Sequence, residues 1–425
     1  MVANSKRVVQ FINVGHALDH LVMLIFPTAV LGMGASFGRS YGELLSLSLG
    51  GFIAFGAGSL PAGWLGDRWS RRNMMALFFF GVGAATLLTA FVTTPFMLAA
   101  SLTLVGAFAA IYHPVGTAML TAHATERLGR TIGVNGVWGN LGVAFAALAS
   151  GALTYSVGWR WAFAVPGLIA IALGVAFLAL IPDEREEKRV VRRAAAPVPR
   201  GVMVHAFAVL VLVTLTGSVV FNAASISLPK VFAERLPDLS QMTAAALDHA
   251  VQLIVPKAIL DMGSSAPLGI GALAFVVFAI GAVSQLIVGH FVDRYPLRTV
   301  FLPLSVVQAP CLLLAAWAHE WAMLLLAIGI MFGIFGQVTI NDAMVARYTN
   351  QEWRARAYAF RYIVSFGASA CGVPLVAILH DRTGGFELTF LVLACLGACV
   401  FLGALLFPHR PEELEVLPAR VQPAE

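Results

Sequence analysis

Charge is what this sequence has least of. Only 12% of its 425 residues are Asp, Glu, Lys or Arg, about half the share found in an average soluble domain. Hydrophobic residues make up 59%, and the mean hydropathy of +0.84 is spread along the whole chain. A soluble globule is therefore excluded, and many membrane spans are implied. The alternating pattern of a bacterial β-barrel is missing; long apolar runs stand in its place, as at 75–92 and 269–288. Cysteine is scarce as well. Cys311, Cys371, Cys395 and Cys399 all fall in apolar runs, so no loop carries a disulfide framework, and the thiols are expected to be buried. Cys395 and Cys399 share a helix face, but no third ligand completes a metal set. No Gly-x-x-x-x-Gly-Lys-Ser/Thr loop is present, so ATP hydrolysis by this chain is not expected. A cleaved leader is not expected either: the apolar run after Lys6 and Arg7 is too long and holds Asp19 at its middle.

What the sequence does have is twelve apolar segments of helical length, at 9–34, 43–66, 73–91, 96–122, 131–154, 159–181, 202–231, 268–292, 299–317, 320–346, 356–380 and 386–408. An all-α polytopic membrane protein follows. Basic residues divide unevenly between the two sides of these spans. One side holds only Arg39, Arg160, Lys230, Arg235, Lys257 and Arg382; Arg361 lies within a helix, and the remaining 20 of the 27 Lys and Arg lie on the side of the termini. The positive-inside rule then places both termini in the cytoplasm. The net charge of +5 reports this orientation and contact with lipid headgroups, not nucleic-acid binding. The charged, Pro-containing stretch 182–201 reads as a cytoplasmic linker between six-helix bundles at 1–181 and 202–408, with a cytoplasmic tail at 409–425.

The two bundles repeat. An offset of 226 residues lays Gly63, Asp67, Arg68 and Arg72 of GWLGDRWSRR on Gly289, Asp293, Arg294 and Arg298 of GHFVDRYPLR. The same offset carries Arg130 onto Arg356 and Asn135 onto Arg361. Nearer the start of each half, Pro27 matches Pro229 at an offset of 202, so the second half carries extra residues in an outer loop at 232–267. That loop contains the weakly amphipathic MTAAALDHAVQLIV, which suits the membrane surface as a passive cap or a gate.

Parallel six-helix repeats are the build of a transporter that rocks one half against the other. Here the sequence resembles the major facilitator superfamily, most specifically in the Gly-x-x-x-Asp-Arg-x-x-Arg-Arg loop at 63–72. Within it, GHALDHLVMLIFP, VGAFAAIYHPVGTAM and GVNGVWGNLG resemble the fosmidomycin-resistance exporters. Those exporters carry an acid after the His-Pro, where this chain has Val115. The resemblance implies a twelve-helix fold, a small-molecule substrate, and a cytoplasmic latch in the 63–72 loop that shuts the outward-facing form. Asp67 is to accept hydrogen bonds from an Arg or a helix N-terminus while Arg68, Arg71 and Arg72 face headgroups. Asp293, Arg294 and Arg298 form its weaker copy.

Polar residues inside the spans carry the chemistry. His16, Asp19 and His20, spaced i, i+3 and i+4, share one helix face deep in the membrane. An acid there is costly to keep ionised, which makes Asp19, assisted by His16 or His20, the candidate proton-coupling group. Two other readings stay open: a hydrogen-bond knot to later helices through Asn135, Asn140 or His113, and a divalent-metal site lacking an evident outer-shell partner. Pro114 frees a carbonyl one turn earlier and turns the helix around His113 towards a cavity. Asn222, Gln285, Gln337, Asn341 and Arg361 complete the candidate cavity set. Asp342 and Arg361 are placed to form a partly desolvated ion pair that gates access, with anion binding or snorkelling as alternatives for Arg361. Gly133, Gly136, Gly139 and Gly142 leave a smooth face on the fifth helix for close packing. The function expected is proton-coupled export of a small organic or drug-like compound by a monomer in the bacterial inner membrane, with no bound cofactor. Import of an organic anion is the alternative; metal-ion transport ranks lower. A metal-dependent membrane enzyme would need further histidine boxes, and His123 stands alone, so no enzyme is expected.

Overall fold

The computed structural model describes residues 2–123, 128–182, 200–254, 265–349 and 351–408. The expected linker and tail lie largely outside these residues, as do the side chains of Arg130 and Arg356. The described residues are helical, without a strand, and twelve helices are long and apolar enough to cross a membrane.

These are α1 (Ser5–Gly32), α2 (Tyr41–Arg68), α3 (Arg71–Thr89), α4 (Pro95–His123), α5 (Thr131–Val157), α6 (Trp159–Leu180), α7 (Arg200–Arg235), α9 (Ala266–Val292), α10 (Leu297–Ala315), α11 (Glu320–Tyr348), α12 (Phe360–Thr383) and α13 (Glu387–Leu406). A thirteenth helix, α8 (Pro237–Ile254), is not among the spans. Each expected span is present, with its ends moved by a few residues.

Local chemistry sets the starts. Ser40 caps α2 by accepting from Glu43 N while Glu43 accepts from Ser40 N, a reciprocal capping box. Ser70 caps α3, and Thr94 caps α4 ahead of Pro95, whose missing N–H is not needed at that position. Reversals use left-handed backbone at Gly38 (φ 59°) and Gly384 (φ 72°).

The outside of the bundle is apolar: Phe91, Phe96, Trp317, Trp321 and Leu325 are exposed, as contact with lipid requires. This corrects the expectation of buried thiols. Cys371 and Cys395 are exposed and Cys311 and Cys399 half-buried, because in a membrane bundle an apolar run faces lipid as readily as the interior.

Two seams join the halves. In one, α5 lies on α9 with Gly151 against the Pro267 carbonyl and Gly271 against the Ala147 carbonyl, so the backbones touch directly. In the other, Gly56 of α2 meets Phe366 of α12. We call the end with the 63–72 loop the basic end. The opposite end, called the shut end below, is bridged by contacts. There Asp381 accepts from Ser40 Oγ at 2.7 Å and from Gly42 N at 3.0 Å, across the seam between α2 and α12. Tyr155 of α5 donates to Asp248 of α8. Towards the basic end the α5–α9 seam fades: a Cβ on Gly136 would still meet Gln285, whereas one on Gly133 would meet open space.

Within the expected outer loop at 232–267, residues 232–254 are helical except at Leu236. α7 continues to Arg235, and α8 packs along α9, its first turn held by Glu320 accepting from the Asp238 and Leu239 amides. Residues 255–264 of that loop lie outside the described residues.

Candidate functional site: a buried histidine and carboxylate cluster

The periodicity of α1 brings His16, Asp19 and His20 to the side facing α4 and α5. α4 reaches them through a flaw in its own helix. Pro114 has no N–H and its ring crowds the preceding turn, and the backbone answers with a π-helical turn over Tyr112–Gly116. That turn points Tyr112 and His113 at α1.

Tyr112 is fully buried. Its hydroxyl donates to the Ile12 carbonyl at 2.8 Å and accepts from Asn135 Nδ2 at 3.0 Å; the same amide donates to Asn13 Oδ1 at 3.0 Å. Its ring stacks on His16 with centroids 4.9 Å apart. His16 Nδ1 lies 2.7 Å from the Asn135 carbonyl, which can only accept, so that nitrogen carries a proton, and whenever the ring is neutral Nε2 offers a lone pair. His20 Nε2 is 3.1 Å from it. Gly139 of α5 is required here, because a Cβ would come within 2.7 Å of the His16 ring.

Asp19 is 0% exposed and neither carboxylate oxygen has a hydrogen-bond partner among the described residues. His113 Nε2 stands 3.4 Å from Asp19 Oδ2, too poorly aligned to count as a hydrogen bond, and is itself unpartnered. A buried charge without donors is expensive, and this pair is the candidate group for proton exchange.

The other half supplies the facing wall. His113 lies 5.2 Å from the Phe366 ring and 6.0 Å from that of Tyr362, which stack on each other, and Phe55 of α2 meets Phe366 edge-on at 4.7 Å. Arg361, buried, forms the expected ion pair with Asp342, whose side chain is 40% exposed. Its guanidinium also lies over the Tyr362 ring.

The remaining candidates scatter. Asn140 is buried, with an unpartnered Nδ2, and does not join the knot that Asn135 makes. Gln337 donates to the Val213 carbonyl at 3.2 Å, filling the space beside Gly217 between α7 and α11. Asn222 packs against Gly372, Asn341 is buried with Oδ1 unpartnered, and Gln285 sits at the α5–α9 seam. In the loop, Asp67 pairs with Arg71 at 3.0 Å, Gly63 packs on Pro114 and Arg68 lies over Trp64. Arg72 is bound to the end of α6. It donates to the Ile181 and Leu178 carbonyls at 2.9 and 2.8 Å, because those acceptors at the end of α6 are otherwise unmet. Arg294 contacts His290, Asp293 is exposed and Arg298 is half-buried.

Asn13, Phe55, Tyr112, Tyr362 and Phe366 were missed. Asn13 was within reach, since Asn13, His16 and His20 form an i, i+3, i+7 stripe. Phenylalanine and tyrosine in apolar helices give no comparable signal. A cavity of about 630 Å³ at the shut end, lined by Ser36, Thr154, Trp159, Arg160, Lys230 and Ile270 among others, touches none of the expected site residues.

Comparison with known proteins places the chain. The pattern of the Major Facilitator Superfamily matches residues 14–255 and 239–424, so the chain belongs to that family and is a membrane transporter rather than an enzyme. Among solved structures, it is similar to a bacterial homolog of the human lysosomal transporter Spinster in an inward-facing, unoccupied conformation: TM-score 0.73, 13% identity, 95% of this chain and 98% of that one. It is also similar to the inward-open xylose transporter XylE from E. coli, with TM-score 0.72, 13% identity, and 97% and 99% covered. Among curated proteins, it is 34% identical over 142 residues to the puromycin resistance protein of Streptomyces alboniger, which is 33% of this chain and 28% of that one. It is 28% identical over 180 residues to a probable actinorhodin transporter of Streptomyces coelicolor, 40% of this chain and 30% of that one. The chain thus spans under a third of the length of either relative.

Proposed function

We propose that this transporter exports a small organic, drug-like compound across the bacterial inner membrane, exchanging it for protons by alternating access, with the basic end and both termini in the cytoplasm. The carrying observation is Asp19: a fully buried carboxyl without a donor, 3.4 Å from His113 and beside the aromatic wall of the other half. A proton taken up there neutralises the cluster, and its loss restores a charge that the buried site tolerates poorly. The Ser40–Asp381 bridge at one end and the open space beside Gly133 at the other support reading this arrangement as inward-facing.

Export is supported by two relatives named for antibiotic resistance and antibiotic transport. The likeness to fosmidomycin-resistance exporters rests on the segments around His16, His113 and Gly139. Import of an organic anion is disfavoured, because Arg361 already spends its charge on Asp342.

Proteoliposomes with an imposed pH gradient test this reading. Addition of puromycin or related antibiotics should dissipate the gradient with the wild type and with Asp238→Asn, an exposed position on α8, but not with Asp19→Asn. Undiminished proton movement in Asp19→Asn would remove the coupling assignment.

A further inference from the structure

The buried cluster has more donors than one proton can serve. The ligand-capable atoms of His16, His20 and His113 all lie within 4.8 Å of one another. His16 Nε2 and His20 Nε2 are 3.1 Å apart, close to the roughly 3.3 Å that separates two nitrogens on a tetrahedral ion with bonds of about 2.0–2.1 Å. We propose that His16, His20 and His113 bind a divalent first-row transition-metal ion of the zinc type, leaving a fourth position open.

The outer shell is in place for one of the three ligands and near at hand for a second. A metal-bound imidazole gives its other N–H to a carbonyl or carboxylate, which fixes its tautomer and strengthens it as a ligand. His16 does this towards the Asn135 carbonyl at 2.7 Å. His113 Nε2 faces Asp19 Oδ2 at 3.4 Å, a short move from the same arrangement, so His113 would ligate through its other ring nitrogen. Asp19 then supplies the negative charge that offsets the ion, and its orphaned oxygens gain the donor they lack. The mounting is semi-rigid: His16 and His20 are one turn apart on α1, Gly139 brings α5 hard against the His16 ring, and His113 rides a π-turn able to adjust. Imidazole donors select zinc, cobalt or nickel over magnesium or calcium, which require a cage of oxygens. All three ligands belong to one half, so an ion held there does not staple the halves together. It is a second ligand for the cluster rather than the driving ion of the cycle above, and the inference needs neither the direction nor the coupling of transport.

The test uses full-length protein purified without a histidine tag, stripped with chelator and titrated with Co2+. One equivalent should produce the intense visible bands of a four-coordinate ion and be displaced by Zn2+. His16→Gln and His113→Gln should each weaken binding at least about tenfold, the lower bound set by outer-shell losses, while His319→Gln, exposed at the shut end, leaves it unchanged. Binding that survives His16→Gln/His20→Gln/His113→Gln, or a wild type that produces no such bands, overturns the proposal. Should the variants fail to fold, X-ray absorption on the cobalt-loaded wild type decides: imidazole scattering from three ligands supports the site, and an all-oxygen shell refutes it.

Discussion

Tyr112 shows how much one side chain can hold in a membrane interior. Its hydroxyl joins α1, through the Ile12 carbonyl, to α5, through Asn135, while its ring fixes the plane of His16. Tyr112→Phe keeps the stack and removes two buried hydrogen bonds, while the Asn135 amide keeps its bond to Asn13, so it should cost about 0.5–1.5 kcal/mol per bond and lower the melting temperature of the purified protein; an unchanged melt would show that the hydroxyl is dispensable. Glycine positions make a sharper contrast. Any side chain at Gly142 runs into the Ala17 backbone, whereas one at Gly133 meets nothing within 4 Å. Gly142→Val should destabilise by about 1–3 kcal/mol through overpacking, and Gly133→Ala should leave the melt alone. Equal effects would remove the close-packing role assigned to this face of α5. At this scale the sequence was half legible. Spacing alone placed His16, Asp19 and His20 together, because helix periodicity is local. That His16 would find the backbone carbonyl of Asn135, 119 positions away, had no local signature.

Among the elements, α4 is the one whose irregularity positions candidate site residues. The proline was read as a kink that frees a carbonyl; the backbone instead takes up one extra residue in a π-turn, and this sets the direction of His113. Pro114→Ala permits a regular helix, rotating Tyr112 and His113 away from α1. Relief of a helix-interior proline is offset by loss of the Tyr112 hydrogen bonds, so the melt should change little, while antibiotic-driven proton movement should fall by up to about a hundredfold, the cost of misplacing a reacting group by about 1 Å. Normal activity in that variant would show the turn to be incidental. α8 illustrates the opposite limit of legibility. Its weak amphipathicity suggested a surface helix, but the contacts that define it, Glu320 at its first turn and Tyr155 at Asp248, come from segments distant in sequence.

For the whole molecule, the twelve spans were readable because length and hydropathy decide them. The state of the transporter was not, because it depends on contacts such as Asp381 with Gly42 that join residues 339 positions apart. Gly42 lies so close to Asp381 and the Ala377 carbonyl that any side chain must prise α2 from α12. Gly42→Val with Asp381→Ala should therefore open the shut end, and a cysteine at Thr28, only 1% exposed, should react faster with a thiol reagent once Cys311, Cys371, Cys395 and Cys399 are replaced by serine. An unaltered rate would mean that the seam is closed by other contacts. Orientation has its own check. In intact cells, a membrane-impermeant reagent should label Arg39→Cys and spare Trp69→Cys, both exposed at opposite ends; the reverse would invert the topology.

α5 touches α1 through Gly139 and Gly142 and touches α9 through Ala147 and Gly151, with bare backbone at both places. Such a rod works as a lever with its load near the middle and its fulcrum at one tip. In the proposed cycle, a displacement of the His16 ring would reach α9 along α5 alone, with no relay of side chains.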